Sequence, residues 1–260
     1  MSNAAPVMTY GTWAAEESDR DPTVRPIVAC AISLARGIMG HFGAAHDMSH
    51  VDRVVANARS LVSGLVVDSS PTTAIDTELV VLGCILHDVA NPLYATMTFT
   101  TPEAIVSLCA QYLVDRGHLV DEPERLAKLK RIMRHASYVD PAEHAATESE
   151  QPTFVELDLV RDADRLDGLG PVGVARACMI GAYHGWTLVG PHTPTVAEWI
   201  ATGRPVLPVD GTVAAYLYGR VLSGPTSTLA TLQARALAAP LVAYVESYLD
   251  ALVAQNRRCA

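Results

Sequence analysis

The chain has 260 residues, half of them apolar and 18% charged, with a formal charge of −9 when its 9 histidines are neutral. That length suffices for one large domain or two small ones, with a core that needs no disulfide or metal staple, and the composition is too apolar for a disordered chain. The acidic balance argues against a sequence-independent grip on a nucleic-acid duplex, which needs a basic footprint, but leaves room for a basic cluster inside a pocket.

Residues 1–24 read as a flexible leader of turn formers and mixed charge, and "MSNAAPVMTYGTWAAEESDRD" lacks the basic start and apolar stretch of a secretory signal. From Pro26 to about His41 the apolar spacing of "PIVACAISLARGIMGH" predicts a helix. A second opens near Ser49, an acceptable N-cap, and runs through "HVDRVVANARSLVSGLV". "SSPTT" breaks the chain, and "AIDTELVVLGCILHD" reads as a buried helix ending in the pair His87–Asp88. After a loop beyond Pro92, helices are expected at roughly 102–116 and 123–137, then a polar, proline-bounded loop, "DPAEHAATESEQP". "TFVELDLVRDADRLDGLG" predicts a helix stopped by glycine, and "PVGVARACMIGAYHG" another with Pro171 in its first turn.

Residues 187–211, rich in Pro, Gly and Thr, look like an ordered insertion or lid, and the tail from Val213 to Ala254 is helical with interruptions at Pro225 and Pro240. Period-2 alternation is scarce, so the expected fold is all-α: a single domain over 25–260, with residues 212–260 as C-terminal helices. The five cysteines, Cys30, Cys84, Cys109, Cys178 and Cys259, are odd in number and lack CxxC spacing, which reads as reduced thiols. No apolar run approaches the ~20 residues of a membrane helix. A soluble, cytoplasmic protein with no membrane attachment is expected.

Three polar clusters stand out against the apolar background. In "AHDMSHVDRVVAN", His50, Arg53 and Asn57 fall at i, i+3 and i+7, on one helix face. His50 could ligate a metal and Arg53 meet an anion or an acidic neighbour; taken alone, a packed core histidine and a surface arginine explain the cluster more simply. H-D-x-x-H (His46 to His50) also echoes the zinc-protease motif, weakly, with Asp47 in place of glutamate. His87 and Asp88 are adjacent and so point about 100° apart on a helix. A joint role needs an object at the helix end, for which a metal ion is suited; a buried His–Asp hydrogen bond is the alternative. In "LVRDADRLDGLG", three carboxylates (Asp162, Asp164 and Asp167) crowd within six residues. That crowding raises their pKa values unless cations such as Arg161, Arg165 or a metal compensate, or unless the face is solvated.

Taken together, the order H…HD…D, with "AHDMSHVDRV" and "VRDADRLDGLGPVGVARA", resembles the HD-domain superfamily of metal-dependent phosphohydrolases. The match is to a bacterial branch carrying AHDxxHxxRV and DADRLxALGxxGxAR motifs. It covers about residues 25–186; residues 187–260 do not carry it clearly. The resemblance implies an HD-domain helical bundle with a helical C-terminal extension, in which His50, His87, Asp88 and Asp164 hold one divalent ion (Mn, Mg, Ni, Fe or Co). That ion would activate a water against phosphorus and polarise a phosphoryl oxygen.

Arg176 matches the family arginine and is a candidate phosphate contact, or else a salt-bridge partner of a nearby aspartate. Arg53 and His135 are the other candidate substrate contacts; Lys130, Arg131 and Arg134 beside His135 read as a solvated face. Where some relatives carry an acid three residues after the HD aspartate, this chain has Asn91, which transfers no proton. Asp47 or Asp167 would then be the acid, or the leaving group needs little help; Asp47 is alternatively an orienter of a ligand histidine. The implied substrate is a small phosphorylated metabolite, foremost a nucleotide. A homodimer through the apolar C-terminal helices is an open possibility.

Two other readings compete. One is a dinuclear HD phosphodiesterase or diiron oxygenase, for which His118, His135 and His144 are available by order alone. The other is a catalytically weak HD module that binds a nucleotide as a sensor.

Overall fold

The computed structural model describes residues 25–39, 48–68, 75–91, 101–137, 153–205, 207, 210–223 and 226–257. The leader over 1–24, the "SSPTT" break, the loops beyond Asn91 and Ser137, Pro225 and Cys259 lie outside the described residues. The described residues are helical, without a named strand; one isolated parallel bridge joins Thr187 to Thr212. The helices in chain order are α1 (Pro26–Met39), α2 (Met48–Asp68), α3 (Thr77–Leu86), α4 (Pro102–Asp115), α5 (Pro123–His135), α6 (Val155–Asp167), α7 (Gly170–His184), α8 (Val196–Ala201) and α9 (Val213–Tyr216). A π-helical segment (Leu217–Ser223), a 3-10 turn (Thr226–Thr228) and α10 (Leu232–Arg257) follow.

The organising element is α3. Seven of its residues, Leu79, Val80, Leu82, Gly83, Cys84, Ile85 and Leu86, are buried, as expected of a helix surrounded by others. It packs on α1, α2, α5 and α6. A Cβ at Gly83 would lie 2.9 Å from both Ile132 Cγ2 of α5 and Val160 Cγ2 of α6, so the missing side chain sets how closely α3 approaches both. Asp76 starts α3 by accepting from Leu79 N at 2.9 Å, and Arg125 of α5 clamps that carboxylate at 2.6 and 3.0 Å. The helix stops at Leu86, so His87 and Asp88 stand in the following turn at the inner end of the most buried helix.

The stripe Val51, Val54, Ala58 and Leu61 turns α2 onto α3 and α6. One contiguous apolar core runs from Ile27 to Leu249. Cys30, Cys84 and Cys109 are buried and free, and Cys178 is a free, half-buried thiol. Burial pushes the Cys84 and Cys109 thiols up, Cys109 to about 12.

Residues 187–211 contain α8, a short helix with a capping box between Thr195 and Glu198. The segment is pinned from within: the indole of Trp199, 1% exposed, donates to Pro205 O at 2.9 Å, and Tyr218 Oη donates to Pro194 O at 2.9 Å. One expectation is corrected, since Pro240 does not interrupt the tail but lies inside the 26-residue α10. A proline in a helix interior costs about 3 kcal/mol. Burial of Ala234, Ala238, Val245, Leu249 and Val253 on either side of it outweighs that cost.

By length and composition alone α10 is also apolar enough to cross a membrane, with a mean hydropathy of 1.4 over its best window, which the search for a ~20-residue apolar run did not anticipate. In the structure its inward stripe packs on α2, α6 and α7.

Candidate metal centre

The start of α2, the turn after α3 and the end of α6 meet at one place. There His50 Nε2 lies 3.2 Å from His87 Nε2, and Asp164 Oδ1 lies 3.5 Å from each of those nitrogens. The rings are edge-to-face, with centroids 5.2 Å apart.

Their hydrogen bonds determine what the facing atoms can be. His87 Nδ1 is 2.8 Å from Cys84 O, a carbonyl that only accepts, so Nδ1 carries a proton and donates. His50 Nδ1 is 2.7 Å from Asp167 Oδ2 and donates likewise. In the neutral imidazoles both Nε2 atoms are therefore bare acceptors, turned towards one another and towards a carboxylate oxygen. Three acceptors brought together in a buried place call for a cation.

A divalent ion suits them. With ligand bonds of about 2.0–2.2 Å, neighbouring donors on a tetrahedral or octahedral ion lie about 3–3.5 Å apart. Two imidazoles with their second nitrogens anchored, plus a carboxylate, form a common donor set. His50, His87 and Asp164 are the one group with metal-ligand spacing among the described residues. His118 and His135 do not join it, and His144 lies outside the described residues.

Without an ion, the charges around the site favour a proton on His87, in the place a cation would take. Burial lowers the pKa of His87, but the carboxylates of Asp88 and Asp164 outweigh it and raise it to about 9. At His50 burial wins and its pKa falls, assisted by Arg176 and His87 and opposed by Asp167. Burial alone would raise Asp164; the hydrogen bond and charge of His87 hold it below the usual carboxylate range.

Asp88 stands beside these three and not among them. Its Oδ1 accepts from Ser137 Oγ at 2.8 Å and from Asn91 Nδ2 at 3.0 Å, and the same hydroxyl oxygen lies 3.2 Å from His87 O. Asn91, which cannot transfer a proton, is thus employed in orienting Asp88.

Asp167 is 4% exposed and its carboxylate is fully engaged. Besides His50 it accepts from Arg53 Nε at 2.6 Å, Arg53 Nη2 at 3.2 Å and Arg176 Nη1 at 2.9 Å. Burial would raise its pKa, but His50 and the two guanidinium groups hold it at about 2. Asp167, expected as a candidate acid, stands behind His50 with its carboxylate taken up by these hydrogen bonds.

Arg53 and Arg176, expected as phosphate contacts, both grip Asp167, and Arg53 Nη1 also donates to Ser49 Oγ at 3.0 Å. The carbonyl of His135 accepts from Arg161 Nε at 2.8 Å, apart from these arginines. Asp47 lies outside the described residues.

The three crowded aspartates of α6 have three separate jobs. Asp162, fully buried, accepts from Ala230 N and Thr231 N, each at 2.9 Å, and from Thr231 Oγ at 2.8 Å, and so anchors the start of α10. Asp164 faces the two imidazoles, and Asp167 turns one of them. On a helix, i, i+2 and i+5 point three different ways. Sequence reasoning missed the carbonyl of Cys84, which no side-chain pattern reveals, and the role of Asn91.

No family model matches the sequence, and no curated protein does. Solved structures do match. A Lactobacillus plantarum protein is 20% identical with a TM-score of 0.66, the match covering 90% of this chain and 99% of that one. An HD-superfamily hydrolase from Bacillus thuringiensis is 20% identical with a TM-score of 0.60, covering 88% and 96%. Bacillus subtilis YpgQ in complex with ADP is 21% identical with a TM-score of 0.54, covering 85% and 95%. The chain has the HD-domain fold, and the likeness takes in the C-terminal region that the sequence motifs leave out.

Proposed function

We propose that this chain is a metal-dependent phosphohydrolase acting on a small phosphorylated substrate, foremost a nucleotide. The observation that carries the reading is the meeting of His50 Nε2, His87 Nε2 and Asp164 Oδ1 with both Nδ1 atoms already committed elsewhere. His50, His87 and Asp164 would hold one divalent ion, with Asp88, turned by Ser137 and Asn91, as the fourth ligand. When bound, such an ion supplies an activated water and a Lewis acid for a phosphoryl oxygen.

The chain's own residues do the rest. Asp167 and the Cys84 carbonyl keep both imidazoles in the ligating tautomer. Arg53 and Arg176, while holding Asp167, put positive charge beside the centre, so that an anionic substrate can enter an acidic protein. The nucleotide preference is supported by the ADP bound to YpgQ, a protein of the same fold.

The test is metal analysis of protein purified without chelator, then a panel of phosphate esters and nucleotides with Mn, Mg, Ni and Co. About one ion per chain is expected, with phosphate release falling about 100-fold or more in Asp164→Ala or Asp88→Ala, the scale of losing an activating metal. Undiminished turnover in both variants refutes the mechanism. Metal uptake and nucleotide binding without phosphate release across the panel would favour the sensor reading.

A further inference from the structure

The charges of α10 are gathered on one side. Its charged residues are Arg235, Glu246, Asp250 and Arg257, and at about 100° of turn per residue they fall within one arc of about 60°. Each is engaged inside the chain. Arg235 Nε donates to Leu229 O at 2.8 Å, Arg204 Nη1 to Glu246 Oε1 at 3.1 Å, Val196 N to Asp250 Oδ1 at 2.8 Å and Arg257 Nη2 to Glu198 Oε2 at 3.1 Å.

The outward arc, about 120° wide, carries no charged residue. It holds Leu237, Pro240, Ala243, Tyr244, Ser247 and Ala251, every one exposed, and only 22% of the most apolar stretch of α10 is buried. α7 lies alongside: Cys178 Sγ is 3.9 Å from Tyr248 Oη, and a Cβ at Gly170 would come 2.8 Å from Leu241 Cδ2. The outer side of α7 adds Val172, Met179 and Tyr183, exposed and spaced i, i+7 and i+11 on one helix face.

Two helices of 26 and 15 residues, at about 1.5 Å of rise per residue and about 10 Å of width, present about 600 Å². Monomers rarely expose an apolar patch beyond a few hundred Å², so a face of this size calls for a cover. Charge selects which. A protein of net charge −9 repels its own copy unless the two meet where neither brings a charge, and in a two-fold pair the same patch meets itself. The outward arc of α10 satisfies that condition along its whole length. Two such faces bury about 1,200 Å², where stable specific interfaces begin. A membrane surface fits less well, because helices that lie on anionic bilayers carry a basic polar face, whereas α10 has Arg235 and Arg257 against Glu246 and Asp250.

We infer that the outward face of α10, with the neighbouring stripe of α7, is a homodimer interface, α10 packing on α10 of a second copy across a two-fold axis.

Sedimentation velocity of the full chain from about 1 to 100 μM tests this. Ala243→Glu and Ser247→Lys each place a charge on the outward arc without removing a large side chain. Val120→Lys, at an exposed residue in the turn between α4 and α5, is the control. Wild type and Val120→Lys should sediment at twice the 27.7 kDa chain mass. Each α10 variant should keep its helical circular dichroism and dimerise about 100-fold or more weakly, since both copies bring a like charge into an apolar contact. A wild type that stays monomeric over this range overturns the assignment. If that monomer also co-sediments with phosphatidylcholine–phosphatidylglycerol vesicles and Ala243→Glu does not, the occupant is a bilayer. A dimer that both α10 variants keep at wild-type affinity, or one that Val120→Lys weakens equally, overturns it as well. Loss of helicity in one variant leaves the other to decide; loss in both shows the arc to be packed within the chain, which also refutes the pairing.

Discussion

Replacing Asp167 with asparagine removes one charge and almost no volume, and the geometry predicts that metal binding weakens without any ligand being touched. Asp167 Oδ2 accepts from His50 Nδ1, Arg53 Nη2 and Arg176 Nη1, while Oδ1 accepts from Arg53 Nε. An amide has one accepting oxygen and one donating nitrogen. With the oxygen in the Oδ2 position, the NH₂ group meets Arg53 Nε donor to donor. With the amide reversed, the NH₂ group faces both His50 and Arg176, and His50 retains a favourable bond only by moving its proton to Nε2, the atom meant for the ion.

The first orientation is less costly. It leaves a buried donor opposed, at about 1–3 kcal/mol, and leaves two guanidinium groups without a full counter-charge. Loss of an outer carboxylate behind a ligand histidine weakens metal binding about 10–100-fold. Asp167→Asn should therefore show at least a 10-fold weaker manganese affinity by calorimetric titration, together with a lower melting temperature, while Asp167→Glu recovers part of the affinity. An unchanged manganese affinity in Asp167→Asn would show that Asp167 does not set the His50 tautomer, and the account of the centre would fail.

Two further outcomes follow from groups outside the centre. Asp162→Ala removes three hydrogen bonds at the start of α10 and should cost about 2–3 kcal/mol; chemical denaturation is the measurement, and a loss below about 0.5 kcal/mol would show that this anchor does not matter. Asp76 has a lowered pKa, because burial, which would raise it, is outweighed by its hydrogen bonds to Arg125 and Leu79. A depressed folded-state pKa means that its stabilisation is present above the ordinary carboxylate value of about 3.9 and fades as pH falls through the folded-state value. The carboxylate is about a third exposed, so screening keeps the effect to about 1 kcal/mol or less. Stability measured against pH should fall less steeply on the acid side in Asp76→Asn than in wild type, and identical slopes would remove Asp76 from the account.

Apolar periodicity was enough to find the helices, because a helix that buries one face must repeat near 3.6 residues whatever it packs against. The position of His87 and Asp88 could also be read, as the polar end of the apolar run that became α3. The order of His50, the HD pair and Asp164 pointed to one ion through a family pattern.

Only the tertiary structure distributed the roles. Three aspartates within six residues are indistinguishable as a string, yet the angles at which they leave α6 send one to α10, one to the imidazoles and one to the back of His50. Arg53 and Arg176 look like phosphate contacts until a buried carboxylate is seen to need both. Local sequence dictates which residues share a face. Which faces meet, and so which polar groups find each other, is settled by packing between segments far apart in the chain.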